Sequence, residues 1–373
     1  MVGRRQVLIG LGGALVAGAA AGTWRVTRLP QTAQAPWLSL NQPVADPRLD
    51  AFRHAILAPN PHNRQPWLIR LEGSDAAVLS CDLDKRLPQT DPFDRQITIG
   101  FGTFIELAAI AASKRGLRLE VEPFPDGEPQ PRLDHRPVAR LRFVADGALR
   151  PDPLARAIAL RRTNRQTYRP LRAELLERIG GEGMQASANP DLLAQVRALT
   201  VAAITREMET HQAHMESVRL MRIGHREVDA NPDGLALTGP LIEGTSLLGL
   251  TTRESLTDPA STSFRLGLED LQKVHASVPA VLWLVTPDNS RLSQLAAGRR
   301  YARTCLRAAA AGAAMHPMSQ ALQEYPAMAD LFTQARQVLG AQGSQCVQML
   351  ARVGMAAPVI PSARYPLEAH LRP

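Results

Sequence analysis

The sequence predicts an α+β fold built from two related halves. The chain has 373 residues, of which 45% are hydrophobic and 21% are charged, so it can bury a large core. Helical and strand patterns alternate in both parts of the chain instead of separating into helix-only and strand-only regions. A turn-rich stretch at 145–153 separates the two parts. We therefore expect a first half over 36–150 and a second half over 151–373.

The first half is predicted to contain a buried central helix. Apolar positions recur at helical spacing from Asp46 to Leu57, and two prolines then end this helix in the segment 58–63. The stretch from Ile97 to Ala112 is apolar nearly all round, which is typical of a helix buried on every side. Short apolar runs predict four strands, at 67–71, 77–81, 117–121 and 138–144.

The second half is predicted to be mainly helical. A short helix ends in Arg161-Arg162-Thr163-Asn164-Arg165, and a long polar-faced helix follows from about Pro190 to Arg226. The Gly-, Pro- and Thr-rich stretch at 229–263 is expected to be a lid, because loops of that length are usually functional or disordered. Strands at 280–286 and 348–355 flank an Ala-rich helix at 292–312.

The first 35 residues resemble a twin-arginine export signal. Arg4 and Arg5 precede an uncharged, weakly apolar stretch at 7–22, and basic residues follow it. This predicts export of the folded protein to the periplasm or cell envelope by the twin-arginine machinery. The apolar stretch is shorter than the roughly 20 residues that span a bilayer. Ala33-Gln34-Ala35 is a cleavage motif, but Pro36 follows it, so a cleaved signal and a retained anchor are both open.

The charge distribution and the cysteine spacing argue against a nucleic-acid-binding protein and against a CxxC motif. Four arginines of the signal account for half of the net charge of +8, and the remaining charge is spread along the chain. With only 4% aromatic residues, neither phosphate tracking nor base stacking is favoured, and we expect no nucleic-acid partner. Cys81, Cys305 and Cys346 are far apart, which excludes a CxxC motif and favours buried free thiols.

One residue set has the spacing of metal ligands. Glu207, His211 and His214 fall on one face of the predicted long helix. The sequence offers no fourth ligand and the neighbours are polar. We therefore expect a solvated helix face and no metal.

Two segments together predict a nucleotide-like cofactor. The cluster Arg161, Arg162, Thr163 and Arg165 suits a phosphate, because guanidinium groups and a hydroxyl donate to its oxygens. The Pro-stiffened loop at 58–67 contains Asn and Gln side chains that can present amides to a heterocycle. Alone, each segment is also consistent with an ordinary helix end or turn.

These segments resemble the flavin site of the FMN-dependent nitroreductase fold. The resemblance comprises the Asn63-x-Gln-Pro-Trp67 loop, the Arg-Arg-Thr-x-Arg cluster, the segment 309–320, and Arg352-x-Gly354 with Arg364 in a Pro-rich tail. It covers about residues 50–366. In ordinary members the Arg motif comes first and an obligate dimer builds each site from both subunits. The order is reversed here, which implies a fused, monomeric pseudo-dimer with one FMN, similar to the Acg-type branch.

The resemblance also implies roles for individual residues. The FMN phosphate would be held by Arg161, Arg162, Thr163, Arg165 and Arg364. The isoalloxazine would be lined by Pro59, Asn60 and Asn63. The segment Pro317-Met318-Ser319-Gln320 would place backbone N–H groups near flavin N5 and O4. The sequence departs from the family by having Gln320 where glycine is usual, and by offering no match for the family's Asn and Lys at the pyrimidine.

Two functions are consistent with this resemblance. The first is an oxidoreductase that reduces a nitroaromatic, quinone or similar acceptor through the flavin, with no catalytic side chain and with NAD(P)H or a membrane donor as the electron source. The second is a protein that binds FMN under a lid with little turnover. Export favours the second, because compartments outside the cytoplasm lack free NAD(P)H.

Overall fold

The structure is a computed structural model that describes residues 30–181 and 183–373. Its α-helices are α1 (Ala35–Leu38), α2 (Pro47–Ala55), α3 (Arg95–Ser113), α4 (Ala173–Ile179), α5 (Pro190–Glu209), α6 (His211–Arg219), α7 (Gly224–Ala230), α8 (Pro240–Leu247), α9 (Arg253–Thr257), α10 (Thr262–Ala276), α11 (Arg291–Ala310) and α12 (Ala329–Val338). Its strands are β1 (Trp67–Glu72), β2 (Ala76–Cys81), β3 (Leu117–Pro123), β4 (Ala139–Ala145), β5 (Met184–Ser187), β6 (Met221–Ile223), β7 (Leu235–Leu237), β8 (Ala280–Thr286), β9 (Ala314–Pro317), β10 (Cys346–Gly354) and β11 (Leu371–Arg372). The mixed α+β class is therefore confirmed. The predicted twin-arginine motif lies outside the described residues.

The strands form two main sheets. The first has the order β11-β1-β2-β4-β3 and the second has the order β5-β8-β10-β9. All pairings in these two sheets are antiparallel except that of β11 with β1. Strand β11 comes from the C-terminal tail, so the end of the chain returns to the sheet of the first half. The division into halves at 145–153 stays a prediction.

The predicted central helix is α3, and its burial explains its apolar surface. One side of α3 carries Phe101 and Phe104 into an aromatic cluster: the Phe104 ring lies 6.0 Å from Phe52 and 5.0 Å from Trp67. The opposite side contacts α11 from the second half. The length and apolar composition of α3 would also suit a membrane span, but 89% of that window is buried inside the protein, as expected of a core helix.

Helices α3 and α11 touch backbone to backbone at two glycines. A Cβ atom on Gly102 would lie 2.1 Å from the carbonyl oxygen of Leu295, and one on Gly298 would lie 2.0 Å from that of Ile99. No larger residue fits at either position without moving a helix. This contact, which we call the glycine crossing, fixes the distance between the first-half helix and the second-half helix.

The prediction of one continuous helix over 190–226 is wrong. Thr210 has an extended backbone (φ −82°, ψ 101°) and separates α5 from α6, and β6 and α7 follow. The stretch at 229–263 is not a bare loop, because it contains β7, α8 and α9. Local apolar periodicity did not reveal these breaks, since α6 and α7 continue the same helical pattern after each turn.

We expect Gly102→Ala to destabilise the protein by roughly 1–3 kcal/mol, because the added methyl group forces the two helices apart. The matched control is Gly267→Ala in α10, where a Cβ would meet no atom within 4 Å and the better helix propensity should stabilise by about 0.5–1 kcal/mol. Denaturant unfolding measures both. Equal midpoints for Gly102→Ala and the wild type would contradict the close packing.

Candidate functional site

The arginine cluster lies where the second half meets the end of α2. Arg161 follows a 3-10 helix over Pro153–Leu160 and is 2% exposed. Its Nη2 donates to the carbonyl oxygen of Leu57 at 3.1 Å, and Nη2 of Arg364 donates to the same oxygen at 3.1 Å. The last carbonyl groups after a helix have no partner within the helix. Two arginines distant in sequence therefore converge on one helix end.

The cluster contains positive charge without a carboxylate. Within residues 30–181 and 183–373, no Asp or Glu forms an ion pair with Arg161, Arg162, Arg165 or Arg364. Burial lowers the pKa of Arg162 to about 10, helped by the Arg161 charge, and burial with repulsion from both neighbours lowers the pKa of Arg364. Buried charges of one sign are costly unless an opposite charge approaches. The site therefore favours an anion.

The N–H groups of these arginines differ in availability. Arg364 donates all five to protein oxygens, on Ile56, Leu57, Ala58, Asn63 and Ala363. In contrast, Nε of Arg161 is buried without a partner, and Arg162 donates only through Nη1. Among the described residues, Thr163 and Arg165 have no hydrogen-bond partner. Arg364, predicted from the resemblance as a phosphate ligand, thus holds the site together and supplies charge, while the free donors belong to 161–165.

An indole ring covers the cluster. The Trp37 ring centroid lies 4.6 Å from the guanidinium carbon of Arg162, 5.6 Å from that of Arg364 and 5.8 Å from that of Arg161. These distances are typical of cation–π contacts. The contact of Trp37 with the arginines was not predictable from the sequence, because no local pattern connects Trp37 with residues so far along the chain.

The loop at 58–65 adopts an unusual backbone. His62, Asn63 and Gln65 have φ values of 45°, 53° and 52°, although none is glycine. Asn60 Oδ1 accepts from the backbone N–H of Gln65 at 2.8 Å, and Asn63 binds the tail by donating to Ala363 O and accepting from Arg364. The predicted site residues Asn60 and Asn63 therefore shape this loop with their side chains. The carbonyl oxygen of Pro59 accepts from Thr103 Oγ1 at 2.6 Å.

His62 is the residue of this loop with an unused polar atom. Its Nδ1 is buried without a partner in the described part of the chain. Burial, with the positive charges of Arg165 and Arg64, lowers the pKa of His62 to about 4. The imidazole is therefore neutral at physiological pH. Sequence reasoning missed His62, since the neighbouring amides carried the resemblance.

Part of the predicted lid contacts this loop. Asp233 is buried and accepts from Arg64 Nη1 at 2.8 Å, Lys85 Nζ at 3.0 Å and Arg222 Nη2 at 2.5 Å. Next to it, the carbonyl oxygen of Pro232 accepts from Gln65 Nε2 at 2.8 Å. Burial raises the pKa of Asp233, but the hydrogen bonds and charges of Lys85 and Arg222 outweigh it, so the net shift is downward.

The segment 317–320 contributes fewer backbone donors than predicted. Pro317 has no N–H, and the N–H of Met318 donates to Leu350 O at 2.8 Å within the core. The N–H groups of Ser319 and Gln320 have no acceptor among the described residues. The Oε1 atom of Gln320 is also buried without a partner. Only Ser319 and Gln320 can therefore donate to a ligand as the sequence analysis expects.

Another buried arginine, Arg352, contacts the chain directly after the cluster at 161–165. Arg352 is fully buried, lies 3.9 Å from the Tyr168 ring centroid and donates to His316 Nδ1 at 3.2 Å and Gln166 O at 2.8 Å. Burial and the charges of Arg165 and Arg352 lower the pKa of His316 well below its ordinary value. His316 is thus a neutral acceptor that orients Arg352.

The candidate metal set does not converge. Glu207 and His214 are buried, so the predicted solvated face is wrong; the break at Thr210 turns them toward different neighbours. Glu207 accepts from Gln323 Nε2 at 2.8 Å, whereas His214 Nε2 donates to Leu256 O at 2.8 Å. Within the described ranges no group of three or more His, Cys, Asp or Glu residues is placed to hold a metal.

Removing the Asp233 charge should loosen the loop at 58–65. We expect Asp233→Asn to cost about 2–4 kcal/mol, because three cations then face a neutral amide. Since the native pKa of Asp233 is lowered, the wild-type advantage is complete above the unfolded-state value near 4 and is lost as pH falls through the native value. Urea unfolding at pH 7 and pH 3 measures this difference.

The control for Asp233→Asn is Asp75→Asn, which breaks an exposed ion pair with Arg142. We expect this control to cost less than about 1 kcal/mol. Equal losses for the two variants, or an Asp233→Asn effect as large at pH 3 as at pH 7, would contradict the assignment.

Comparison with known proteins gives one similarity over most of the chain. No family model matches it. The chain is 28% identical over 316 residues to a protein of Mycobacterium tuberculosis named "Putative NAD(P)H nitroreductase", in strains CDC 1551 and H37Rv, covering 81% of this chain and 83% of the relative.

Solved structures match more weakly. An FMN and NADPH-dependent nitroreductase from Sphigopyxis sp. strain HMH is 20% identical, covers 58% of this chain and 97% of its own, and has a TM-score of 0.34. An iodotyrosine deiodinase bound to FMN and 3-iodo-L-tyrosine is 13% identical, covers 57% and 94%, and has a TM-score of 0.31. TM-scores this low do not establish a common fold.

Proposed function

We propose that this chain is an FMN-binding oxidoreductase of the nitroreductase-like family that reduces a nitroaromatic, quinone or similar acceptor through the flavin. The observation that carries the proposal is the arginine cluster at 161–165, which is buried against Leu57, lacks a carboxylate and retains unused donors. The similarity to the mycobacterial relative supports the family. The two halves would form an internal pseudo-dimer of the Acg type with one cofactor site.

A phosphate monoester fits the donors that are present. Arg161 Nε, the unused N–H groups of Arg162 and Arg165, and the hydroxyl of Thr163 would donate to its oxygens. Two negative charges would offset the burial and the mutual repulsion that lower the pKa values of Arg162 and Arg364. Arg364 would act through charge, since all its donors are occupied.

The ring end of the site would lie between the loop at 58–65 and the segment 317–320. Bound FMN supplies hydride chemistry at its N5 atom. The N–H groups of Ser319 and Gln320 would donate to the flavin, where they stabilise negative charge. Neutral His62 offers one unused nitrogen. None of these groups is a strong acid at pH 7, so the protein's contribution is orientation and electrostatics.

The first test is the absorption spectrum of the natively purified protein with two variants. We expect flavin bands in the wild type and their loss in Arg161→Ala, because this change removes a buried phosphate donor. Arg156→Ala is the matched control, since Arg156 is exposed on the adjacent 3-10 helix and should leave FMN bound. A colourless wild type, or an Arg161→Ala variant that retains FMN fully, would overturn the proposal.

Turnover and sequestration are separated by anaerobic reduction. Asp233 fixes part of the predicted lid to the loop at 58–65, and the Trp37 ring covers Arg162, which favours an FMN-sequestering protein as the second candidate. In an oxidoreductase, the flavin absorption bands should bleach within seconds to minutes after addition of NADPH or NADH. They should return when a quinone is added. Flavin bands that persist after addition of NADPH, NADH and a membrane-type quinol would favour sequestration.

We further propose export by the twin-arginine pathway with the N-terminal segment retained. The support is that Ala33 is fully buried and accepts from the Arg364 backbone N–H at 2.9 Å, while its own N–H donates to Asp229 at 3.0 Å. Cleavage after Ala35 would remove these contacts from the folded chain. The intact mass of envelope-fractionated protein is the relevant measurement.

A further inference from the structure

We infer that Trp37 is a binding-site residue that holds the phosphate-binding arginines in position, and that the segment 30–42, here called the strap, closes the phosphate end of the site. This inference rests on the proposed function. It assigns a role to a residue outside the 50–366 region that carries the family resemblance. The ligand class is a phosphate monoester.

The position of the Trp37 ring leaves N–H groups of Arg161 and Arg162 free to bind a phosphate. An indole over a guanidinium covers its flat face, whereas N–H donors point outward in the guanidinium plane. Nε of Arg161 has no partner, and only Nη1 of Arg162 donates to protein oxygens. The Trp37 ring therefore lies over the guanidinium carbons of Arg161 and Arg162 while these N–H groups remain available to phosphate oxygens.

Restricting the arginine side chains has a direct effect on affinity. Arginine has many rotamers, and ordering a free side chain on binding costs about 0.5–1.5 kcal/mol. Arg162 is held by its contact with Trp37 and by the nearby carbonyl oxygens of Ala159 and Arg161. Arg364 is held by five hydrogen bonds. Arg162 thus depends on the indole for its position more than Arg364 does.

The strap is fixed to three other parts of the protein. Trp37 Nε1 donates to Ser362 O at 2.8 Å, and Ala33 binds both the tail and Asp229 of α7. Arg53 of α2 donates to Ser39 O at 3.2 Å. The indole is 7% exposed. The ring is therefore set in place by contacts that do not use the guanidinium groups of the cluster, as a preorganised support requires.

A purely structural role for Trp37 makes a different prediction. Trp37 also packs in the first-half core, so its removal could lower stability without touching the site. Such a role would weaken the binding of FMN and of riboflavin equally. A role at the phosphate end weakens FMN binding selectively, because riboflavin has the same ring system but no phosphate.

The test compares FMN and riboflavin affinities, by flavin fluorescence, in apo-protein of the wild type, Trp37→Phe, Trp37→Ala and Leu38→Ala. We expect Trp37→Ala to weaken FMN binding by about tenfold or more, from loss of desolvated cation–π contacts, and to change riboflavin binding less than about threefold. Trp37→Phe should recover most of the FMN affinity. Leu38→Ala is the matched control, since Leu38 is 78% exposed beside Trp37.

Each outcome has a defined meaning. Absence of FMN binding in the wild type would defeat the proposed function itself. FMN binding that Arg161→Ala abolishes but Trp37→Ala leaves unchanged would overturn only the inference about Trp37. Equal loss of FMN and riboflavin affinity in Trp37→Ala would also overturn it, because the effect would then be structural. If Trp37→Ala does not fold, the FMN-to-riboflavin ratio in Trp37→Phe and Trp37→Leu decides.

Discussion

The glycine crossing is the contact on which the remaining geometry depends. With Gly102 and Gly298 in backbone contact, α11 approaches closely enough for Leu295, Ala302 and Leu306 to enter the first-half core. The same approach lets Arg299 and Arg303 reach Glu106 at 2.7 and 2.9 Å. A wider spacing would lose these contacts together.

The arginine cluster shows how protein dipoles can gather charges that otherwise repel. Carbonyl oxygens of 56–58 accept from Arg161 and Arg364, and the indole of Trp37 covers both. These partners offset desolvation but carry no net negative charge. An anion that binds the folded state should therefore stabilise it by mass action. Stability and anion binding would be coupled through the same four arginines.

The sequence predicted what local patterns encode. Central helix α3, strands β1 to β4 and the Arg161–Arg165 cluster all follow from contiguous residues whose spacing or composition is distinctive. The end of α5 at Glu209 was not predictable in this way, because helical apolar spacing continues beyond it. Asp233 and His62 were also missed, since their importance comes from partners brought together only by folding.

Arg364 shows most clearly what a sequence motif does not predict. The resemblance placed it correctly near the other arginines, but a motif does not count hydrogen-bond donors. Four of its five protein acceptors are on residues that are distant in sequence, and the fifth is the carbonyl oxygen of the neighbouring Ala363. Whether an arginine binds a ligand or supports a site depends on this count, which only the folded arrangement provides.

The two ends of the described chain meet at the candidate site. The strap contributes Trp37, the tail contributes Arg364, and the two are joined by hydrogen bonds from Trp37 Nε1 to Ser362 and from the Arg364 N–H to Ala33. The tail then adds β11 beside β1. The site is therefore incomplete until the last residues of the chain are in place, because neither half supplies both the indole and all the arginines. A ligand that binds this junction would hold both ends of the described chain in position.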